Sequence, residues 1–160
     1  MRNIPEVDVL IGTLYFLHKD EWEIRKLSIA RGKGIQQAQD MQRVKSELSN
    51  LGIPEYAIQF RNEGEDIVAA KAGVSWKIEC KGLGNASSQT ERNNFDRAVA
   101  SVVSYYTDNK VRLGLAMPEW YFLRYLKNRL PVALRQAINL WIILYVAKDE
   151  VYSIEPDKEL

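Results

Sequence analysis

Two carboxylates and a lysine stand close to one another around a pair of short apolar segments. Asp66 comes directly before the first segment, at 67–70, and Glu79 and Lys81 follow the second, at 74–78. The short connection between the segments contains Ala72-Gly73 and predicts a β-hairpin. Like charges that face each other across a sheet repel. A hairpin that places Asp66 beside Glu79 therefore requires a compensating partner.

A turn at Ala72-Gly73 sets a register in which Asp66 lies opposite Glu79. Successive side chains alternate between the two faces of a strand. One face then carries apolar residues: Ile67, Ala69, Val74, Trp76, Ile78 and Cys80. The other carries polar ones: Asp66, Ser75, Lys77, Glu79 and Lys81. Val68 and Lys71 do not fit this sorting, and Ala72 is not a preferred residue for a tight primed turn. A three-residue loop is the alternative.

The predicted register favours a cation between the two carboxylates. Directly opposed residues have Cβ atoms about 4.5–5.5 Å apart. Two carboxylates, a backbone carbonyl and waters form the oxygen shell that Mg²⁺ prefers. Lys81 lies on the same face, where its ammonium group could neutralise an anionic substrate. A metal ion, a lysine and a water are what the hydrolysis of a phosphodiester requires.

The rest of the chain predicts helices around a largely central sheet, in a mixed α/β domain spanning residues 1–160. Segment 22–30 is ambiguous between a strand and a continued helix. Ser88 and Glu91 fit a capping box at the start of a helix. Pro118 can open the next helix, which Pro131 kinks or breaks. The other predicted elements are a helix at 5–18, a helix at 36–50, a strand at 56–61, a helix to about 106, a strand at 111–117 and a closing hairpin at 141–146 and 151–154.

Asp66 and the triplet Glu79-Cys80-Lys81 resemble the motif of the PD-(D/E)XK nuclease superfamily, which has the restriction-endonuclease-like fold. The proline that leads the motif is absent, since Glu65 precedes Asp66. The resemblance extends to the order of the elements. The helix at 36–50, the strand at 56–61, the hairpin, the next helix and the next strand would form, in that order, the αβββαβ core of the superfamily. The triplet Asp108-Asn109-Lys110 repeats the spacing, and we expect it to form a structurally inert turn.

This resemblance implies a role for each motif residue. Asp66, Glu79 and the carbonyl of Cys80 would be ligands of Mg²⁺, for which Mn²⁺ could substitute. Lys81 would be the catalytic lysine. Some members of the superfamily add a glutamate from the first core helix, for which Glu47 is the candidate. Others place a glutamine or a basic residue in the second helix, and Gln89, Arg92 and Arg97 are the candidates here, with Arg92 preferred.

The composition favours no partner by itself, because the formal net charge is only +1. A nucleic-acid surface would have to be local. Basic residues cluster in 25–33 and in 124–135, where phosphate contacts would involve Arg31, Lys33, Arg124 and Lys127. A solvated face is the alternative for both clusters. The single cysteine excludes a disulfide framework and a multi-cysteine metal site.

The sequence therefore predicts a Mg²⁺-dependent endonuclease that hydrolyses DNA through an activated water. The alternative is a non-catalytic domain of the same fold that binds nucleic acid or protein. We expect a homodimer, because cutting both strands would require one active site for each. We also expect a cytoplasmic protein with no membrane partner, since the apolar runs are short and the N-terminus lacks a basic segment ahead of its apolar stretch.

Overall fold

The computed structural model describes residues 3–29 and 35–160. In these ranges the α-helices are α1 (Glu6–Lys19), α2 (Ile35–Asn50), α3 (Ser88–Ser104), α4 (Glu119–Arg129) and α5 (Val132–Ala137). The strands are β1 (Glu23–Ser28), β2 (Gln59–Arg61), β3 (Ile67–Lys71), β4 (Val74–Cys80), β5 (Val111–Pro118), β6 (Leu140–Ala147) and β7 (Glu150–Ile154). None of the helices in this part of the chain has the length and apolar character needed to cross a bilayer.

The seven strands form one mixed sheet in the order β2-β1-β3-β4-β5-β6-β7. The pairs β1–β3, β3–β4 and β6–β7 are antiparallel. The pairs β1–β2, β4–β5 and β5–β6 are parallel. The expectation of an α/β domain with a mixed sheet and flanking helices is therefore confirmed.

Helices cover both faces of this sheet. Gly12 of α1 lies against Tyr145 of β6, where an added Cβ would come within 2.6 Å of the tyrosine ring. On the opposite face, α4 packs against α3 through Phe122 and Phe95, whose rings stack with centroids 5.9 Å apart. The central strand β4 thus presents its apolar side chains to α1 and its polar side chains to α3.

The β3–β4 hairpin has the predicted register. Ile67 pairs with Ile78 and Ala69 with Trp76. Ala72 and Gly73 have φ angles of +49° and +79°, the left-handed pair that a two-residue type I′ turn requires. The alternative of a three-residue loop is therefore excluded. The expected apolar face is buried at Ile67, Ala69, Trp76, Ile78 and Cys80.

The strand beside this hairpin is not the one predicted. β1 pairs with β3, whereas β2, from the predicted strand at 56–61, lies at the edge of the sheet and pairs only with β1 among the described strands. The strand next to the hairpin in the sheet is therefore β1, and the helix that precedes β1 in the chain is α1. In the chain, α2 and β2 lie between the paired strands β1 and β3. The register of β1 shifts between Ile24 and Lys26. This bulge interrupts the alternation of side chains, which explains why the segment was ambiguous in sequence.

Two helix boundaries also differ from the predictions. Ser87, not Ser88, caps α3, and its Oγ accepts a hydrogen bond from the Thr90 N–H. Glu91 therefore lies one position too far into the helix to complete a capping box. Pro118 is the cap of α4 rather than its first residue. The expected break at Pro131 is confirmed, since Pro131 caps α5.

Candidate functional site

Asp66 is held beside Glu79 at the open end of the hairpin. The Asp66 N–H donates at 3.0 Å to the carbonyl of Ile78, the residue that pairs with Ile67, so the recorded register ends at Ile67 and Asp66 lies just beyond it. The Asp66 Oδ2 accepts a hydrogen bond from the Cys80 N–H at 2.7 Å. The Asp66 carbonyl in turn accepts from the Ser28 N–H at 2.9 Å. The backbone of Asp66 is therefore held from both neighbouring strands, and its carboxylate is held by the backbone of Cys80.

The two carboxyl groups share an environment that disfavours their charge. Burial and the neighbouring charge of Glu79 raise the pKa of Asp66 well above its usual value. Burial also raises the pKa of Glu79, although a hydrogen bond from Tyr105 and the charge of Lys81 oppose the rise. Glu6 adds a third negative charge that acts on both groups. A bound cation would relieve this excess of negative charge.

Tyr105 holds Glu79 from the end of α3. Its hydroxyl donates to Glu79 Oε2 at 2.5 Å and lies 3.3 Å from the carbonyl oxygen of Gly64. A phenol has one proton to donate, and the shorter distance to a charged acceptor favours Glu79. The carbonyl of Tyr105 accepts a hydrogen bond from Lys77 Nζ at 3.3 Å. The end of α3 is thus attached to the polar face of β4 at two places.

Lys81 is paired with Glu6, the first residue of α1. The Lys81 Nζ lies 3.0 Å from Glu6 Oε2. Gly82 permits this contact, because an added Cβ would lie 2.5 Å from both the Ile4 carbonyl oxygen and the Glu6 nitrogen. The backbone at Ile4 and Glu6 therefore passes directly against Gly82. The charge of Lys81 favours the ionised form of both Asp66 and Glu79, so the four side chains form one electrostatic cluster.

Three members of this cluster, Glu6, Asp66 and Glu79, reach a pocket of about 480 Å³, whereas Lys81 is not among its described wall residues. Glu6, Asp66, Glu79 and Tyr105 line it, together with Ser28, Ile29, Asn62, Glu63, Gly64, Ser101 and Ser104. The pocket is wide enough at its mouth for solvent, and its wall is mostly polar. Solvent or a cation could therefore reach the carboxylates from this side.

The donor set fits a hard cation in part. Two carboxylates on adjacent strands match the one or two that Mg²⁺ commonly takes from a protein. No group of three or more histidine, cysteine or acidic side chains in residues 3–29 and 35–160 forms a preassembled metal cage. A cation here would therefore take its remaining ligands from water, backbone carbonyls or substrate. The Cys80 thiol cannot contribute, since it lies on the buried face and burial raises its pKa.

The structure does not bring the predicted accessory residues to this pocket. Glu47 lies in another network, where it accepts a hydrogen bond from Tyr15 at 2.5 Å and pairs with Lys148 at 3.4 Å. Tyr105 and Gln89 are at opposite ends of α3, about 24 Å apart at 1.5 Å of rise per residue. Arg92 is about 20 Å along the helix from Tyr105 by the same measure. The predictions for all three residues gain no support from their positions.

The predicted phosphate contacts are also outside the pocket. Arg124 and Lys127 are exposed on α4, which packs against the first half of α3. Lys127 lines a separate pocket next to α5. Arg31 and Lys33 lie outside the described residues. Asp108-Asn109-Lys110 forms the expected turn, in which the Lys110 N–H donates to Asp108 Oδ1 at 2.8 Å.

Glu6 and Tyr105 were missed as site residues. Both lie at helix ends, and the tertiary fold, rather than any local spacing, brings them to β4. The one sequence signal that points to Glu6 is its position at the start of α1, combined with Gly82 directly after Lys81. Comparison with protein-family models, with curated proteins and with solved structures gives no match for this chain.

Proposed function

We propose that this chain is a Mg²⁺-dependent nuclease that hydrolyses DNA phosphodiesters at the Asp66–Glu79–Lys81 cluster. The observation that carries the proposal is the position of Asp66 beside Glu79, with the charge of Lys81 acting on both. The proposal is also supported by the order α1, β1, β3, β4, α3, β5. This succession of helix, three antiparallel strands, helix and parallel strand is the order that the resemblance implies for an αβββαβ core.

The residues of the cluster would have two separate roles, which are binding of the cation and stabilisation of charge in the transition state. Asp66 and Glu79 would hold the cation, with Mn²⁺ as a substitute. When bound, the metal ion supplies an activated water and offsets negative charge on the phosphate. Lys81 would move from Glu6 to a phosphate oxygen, where its positive charge stabilises the transition state. Glu6 keeps the ammonium group near the site before the substrate arrives.

A second candidate is a non-catalytic domain of the same fold. The observation that favours it is the internal pairing of the polar groups, because Lys81 already has a carboxylate partner and Glu79 already has a hydrogen-bond donor. Such pairs could stabilise a hairpin end with no substrate. In that case the pocket would bind nucleic acid or a protein without cleaving either.

Nicking of supercoiled plasmid separates the two candidates. Wild type should nick the plasmid with Mg²⁺ or Mn²⁺ and not with EDTA. Lys81→Ala should reduce the rate by at least about 100-fold, the usual effect of removing a group that stabilises developing charge. Lys110→Ala is the matched control, because Lys110 ends the other acidic-x-Lys triplet and lies in a turn. Equal rates for Lys81→Ala and Lys110→Ala would contradict the proposal.

Gel filtration and light scattering test the homodimer, which we retain as part of this proposal. A nuclease with one site in each chain would cut opposite strands as a pair of copies. We expect double-strand breaks to rise with the square of protein concentration, whereas nicks should rise in proportion to it. A linear dependence for both products would indicate that one chain acts alone.

A further inference from the structure

Three pockets adjoin one another, because neighbouring pockets have wall residues in common. The central one, of about 480 Å³, contains Asp66 and Glu79. A pocket of about 320 Å³ on one side shares its Glu6, Ile29 and Asp66 walls. A pocket of about 380 Å³ on the other side shares Glu63 and Gly64. We call these three adjoining pockets the groove, and the carboxylate pair lies in the central one.

Each end of this groove carries an arginine. Arg43 of α2 lines the pocket on the α1 side, and Arg61 of β2 lines the pocket on the opposite side. Both residues are exposed. Arg43 pairs with Asp8 at 2.6 Å through one of its nitrogens, which leaves other N–H donors of the guanidinium group. Arg61 pairs with no carboxylate in residues 3–29 and 35–160, and its Nε lies 3.1 Å from the side-chain amide of Gln59.

The groove as a whole has more negative than positive side chains. Its lining includes five carboxylates, which are Glu6, Asp40, Glu63, Asp66 and Glu79. It includes three cationic residues, which are Lys26, Arg43 and Arg61. Lys26 is already paired with Glu65 at 2.7 Å. A polyanion would be repelled from the middle of the groove unless a divalent cation occupied the carboxylates there.

We propose that a polynucleotide strand lies along this groove in both directions from the carboxylate pair, with one phosphate at Arg61 and another at Arg43. This inference rests on the proposed function for its central site, and it identifies the substrate as the interior of a strand rather than its end. It also assigns phosphate recognition to β2 and α2 instead of α4. Because the middle of the groove is acidic, the strand binds together with a divalent cation.

Binding without cleavage tests this path directly. The probe is a fluorescent 30-nucleotide single strand, and its affinity is measured by anisotropy with Ca²⁺, with EDTA and at several salt concentrations. Wild type should bind at least tenfold more tightly with Ca²⁺ than with EDTA. Arg61→Gln should weaken binding about fivefold at low salt and reduce the slope of log affinity against log salt by about 0.7, the value for one phosphate contact in a single strand. Lys127→Gln, whose lysine lines a separate pocket next to α5, should leave both quantities unchanged.

A second experiment compares a circular single strand with a linear one. A circular single strand should bind as tightly as a linear one of equal length, within about twofold, because the groove needs no free end. The affinity for a duplex of the same sequence shows whether the groove accepts one strand or two. Because the proposal places one strand in the groove, the single strand should bind more tightly than the duplex. Thermal melts of each variant show whether the fold is intact, and Arg61→Lys should recover most of the lost affinity.

Four results would overturn the proposal: no binding by wild type in Ca²⁺, wild-type binding by Arg61→Gln, an equal loss in Lys127→Gln, or a requirement for a free end. Failure of the proposed function is a different outcome. If the Arg61-dependent binding is present and Mg²⁺ supports no cleavage, the groove stands and the nuclease proposal fails. If cleavage depends on Lys81 and not on Arg61, the nuclease stands and this strand path fails.

Discussion

The hydroxyl of Tyr105 donates a hydrogen bond to Glu79 across 2.5 Å, joining the end of α3 to the polar face of β4. This contact has three consequences. It favours the ionised form of a carboxylate whose burial favours the protonated form. It orients Glu79 within the pocket that also contains Asp66. It explains why a tyrosine beyond the motif belongs to the candidate site.

Tyr105→Phe should therefore weaken both the fold and the site. A hydrogen bond to a charged group contributes about 1.5–3 kcal/mol, and at this half-buried position we expect a loss of about 1 kcal/mol in the free energy of unfolding. The affinity for Mn²⁺ should fall about tenfold, as is usual when a hydrogen-bond partner of a metal ligand is removed. Urea unfolding and calorimetric titration measure the two effects.

The control for this variant is Tyr106→Phe. Tyr106 follows in the chain, is exposed, and donates to Asn109 at 2.9 Å, outside the candidate pocket. It should retain the Mn²⁺ affinity of wild type. An unchanged affinity in Tyr105→Phe as well would show that the tyrosine only attaches α3 to the sheet.

Asp66→Asn should make the metal-free protein more stable at high pH. Burial and the charge of Glu79 raise the pKa of Asp66, so the folded protein keeps a proton that the unfolded chain has released. Stability is then lost as the pH rises from about 4, the usual range of the carboxyl group, through the raised value in the folded state. The asparagine removes this cost and can still accept the hydrogen bond from the Cys80 N–H.

The measurement is thermal unfolding in EDTA between pH 4 and pH 8. Asp66→Asn should melt above wild type at pH 8, and the difference should vanish near pH 4. Asp157→Asn changes an exposed aspartate in the same way and should show no such trend. An Asp66→Asn protein that is less stable than wild type at every pH would mean that the ionised carboxylate stabilises the fold.

Gly82→Ala should disrupt the start of α1. The new Cβ would lie 2.5 Å from the Ile4 carbonyl oxygen and from the Glu6 nitrogen, and both atoms belong to the backbone. Relieving the overlap should cost about 1–3 kcal/mol of the free energy of unfolding. The shift would also move Glu6 away from Lys81. Gly84→Ala is the control, since its Cβ would come no closer to any neighbour than 3.4 Å, the distance to the Glu91 side chain. Equal stability of the two variants in urea would contradict this account of Gly82.

The hairpin could be predicted from sequence because its evidence is local. Alternation from Ile67 to Cys80 sorts the two faces, and Ala72-Gly73 supplies the left-handed turn. The neighbouring strand could not be predicted, because the bulge near Arg25 breaks its alternation. The segment at 56–61 has an apolar pattern of its own and was assigned to that place instead. Alternation of apolar and polar residues identifies a strand, but it does not specify which strand lies next to it in the sheet.

The candidate site could be predicted only as far as the motif extends. Glu79 lies in the hairpin, and Asp66 and Lys81 directly adjoin its two strands, so the predicted hairpin brings all three to one end. Glu6 and Tyr105 reach them from helix ends that are distant in sequence, and Tyr105 is 26 residues beyond Glu79. Such contacts depend on how α1 and α3 pack against the sheet. The choice of Glu47 followed from expecting α2 to precede the strand beside the hairpin, whereas that strand is β1 and the helix before it is α1.

The most direct test of the central claim is a calorimetric titration of Mn²⁺ into wild type and Asp66→Asn, with and without a single-stranded oligonucleotide. The account predicts saturable binding by wild type, tighter when the oligonucleotide is present, and affinity at least tenfold weaker in Asp66→Asn. Glu79→Gln should behave like Asp66→Asn, because either change leaves one carboxylate of the pair. Wild type that takes up neither Mn²⁺ nor Mg²⁺ under both conditions, or an Asp66→Asn protein that binds as wild type does, would contradict the assignment of this pair as a cation site.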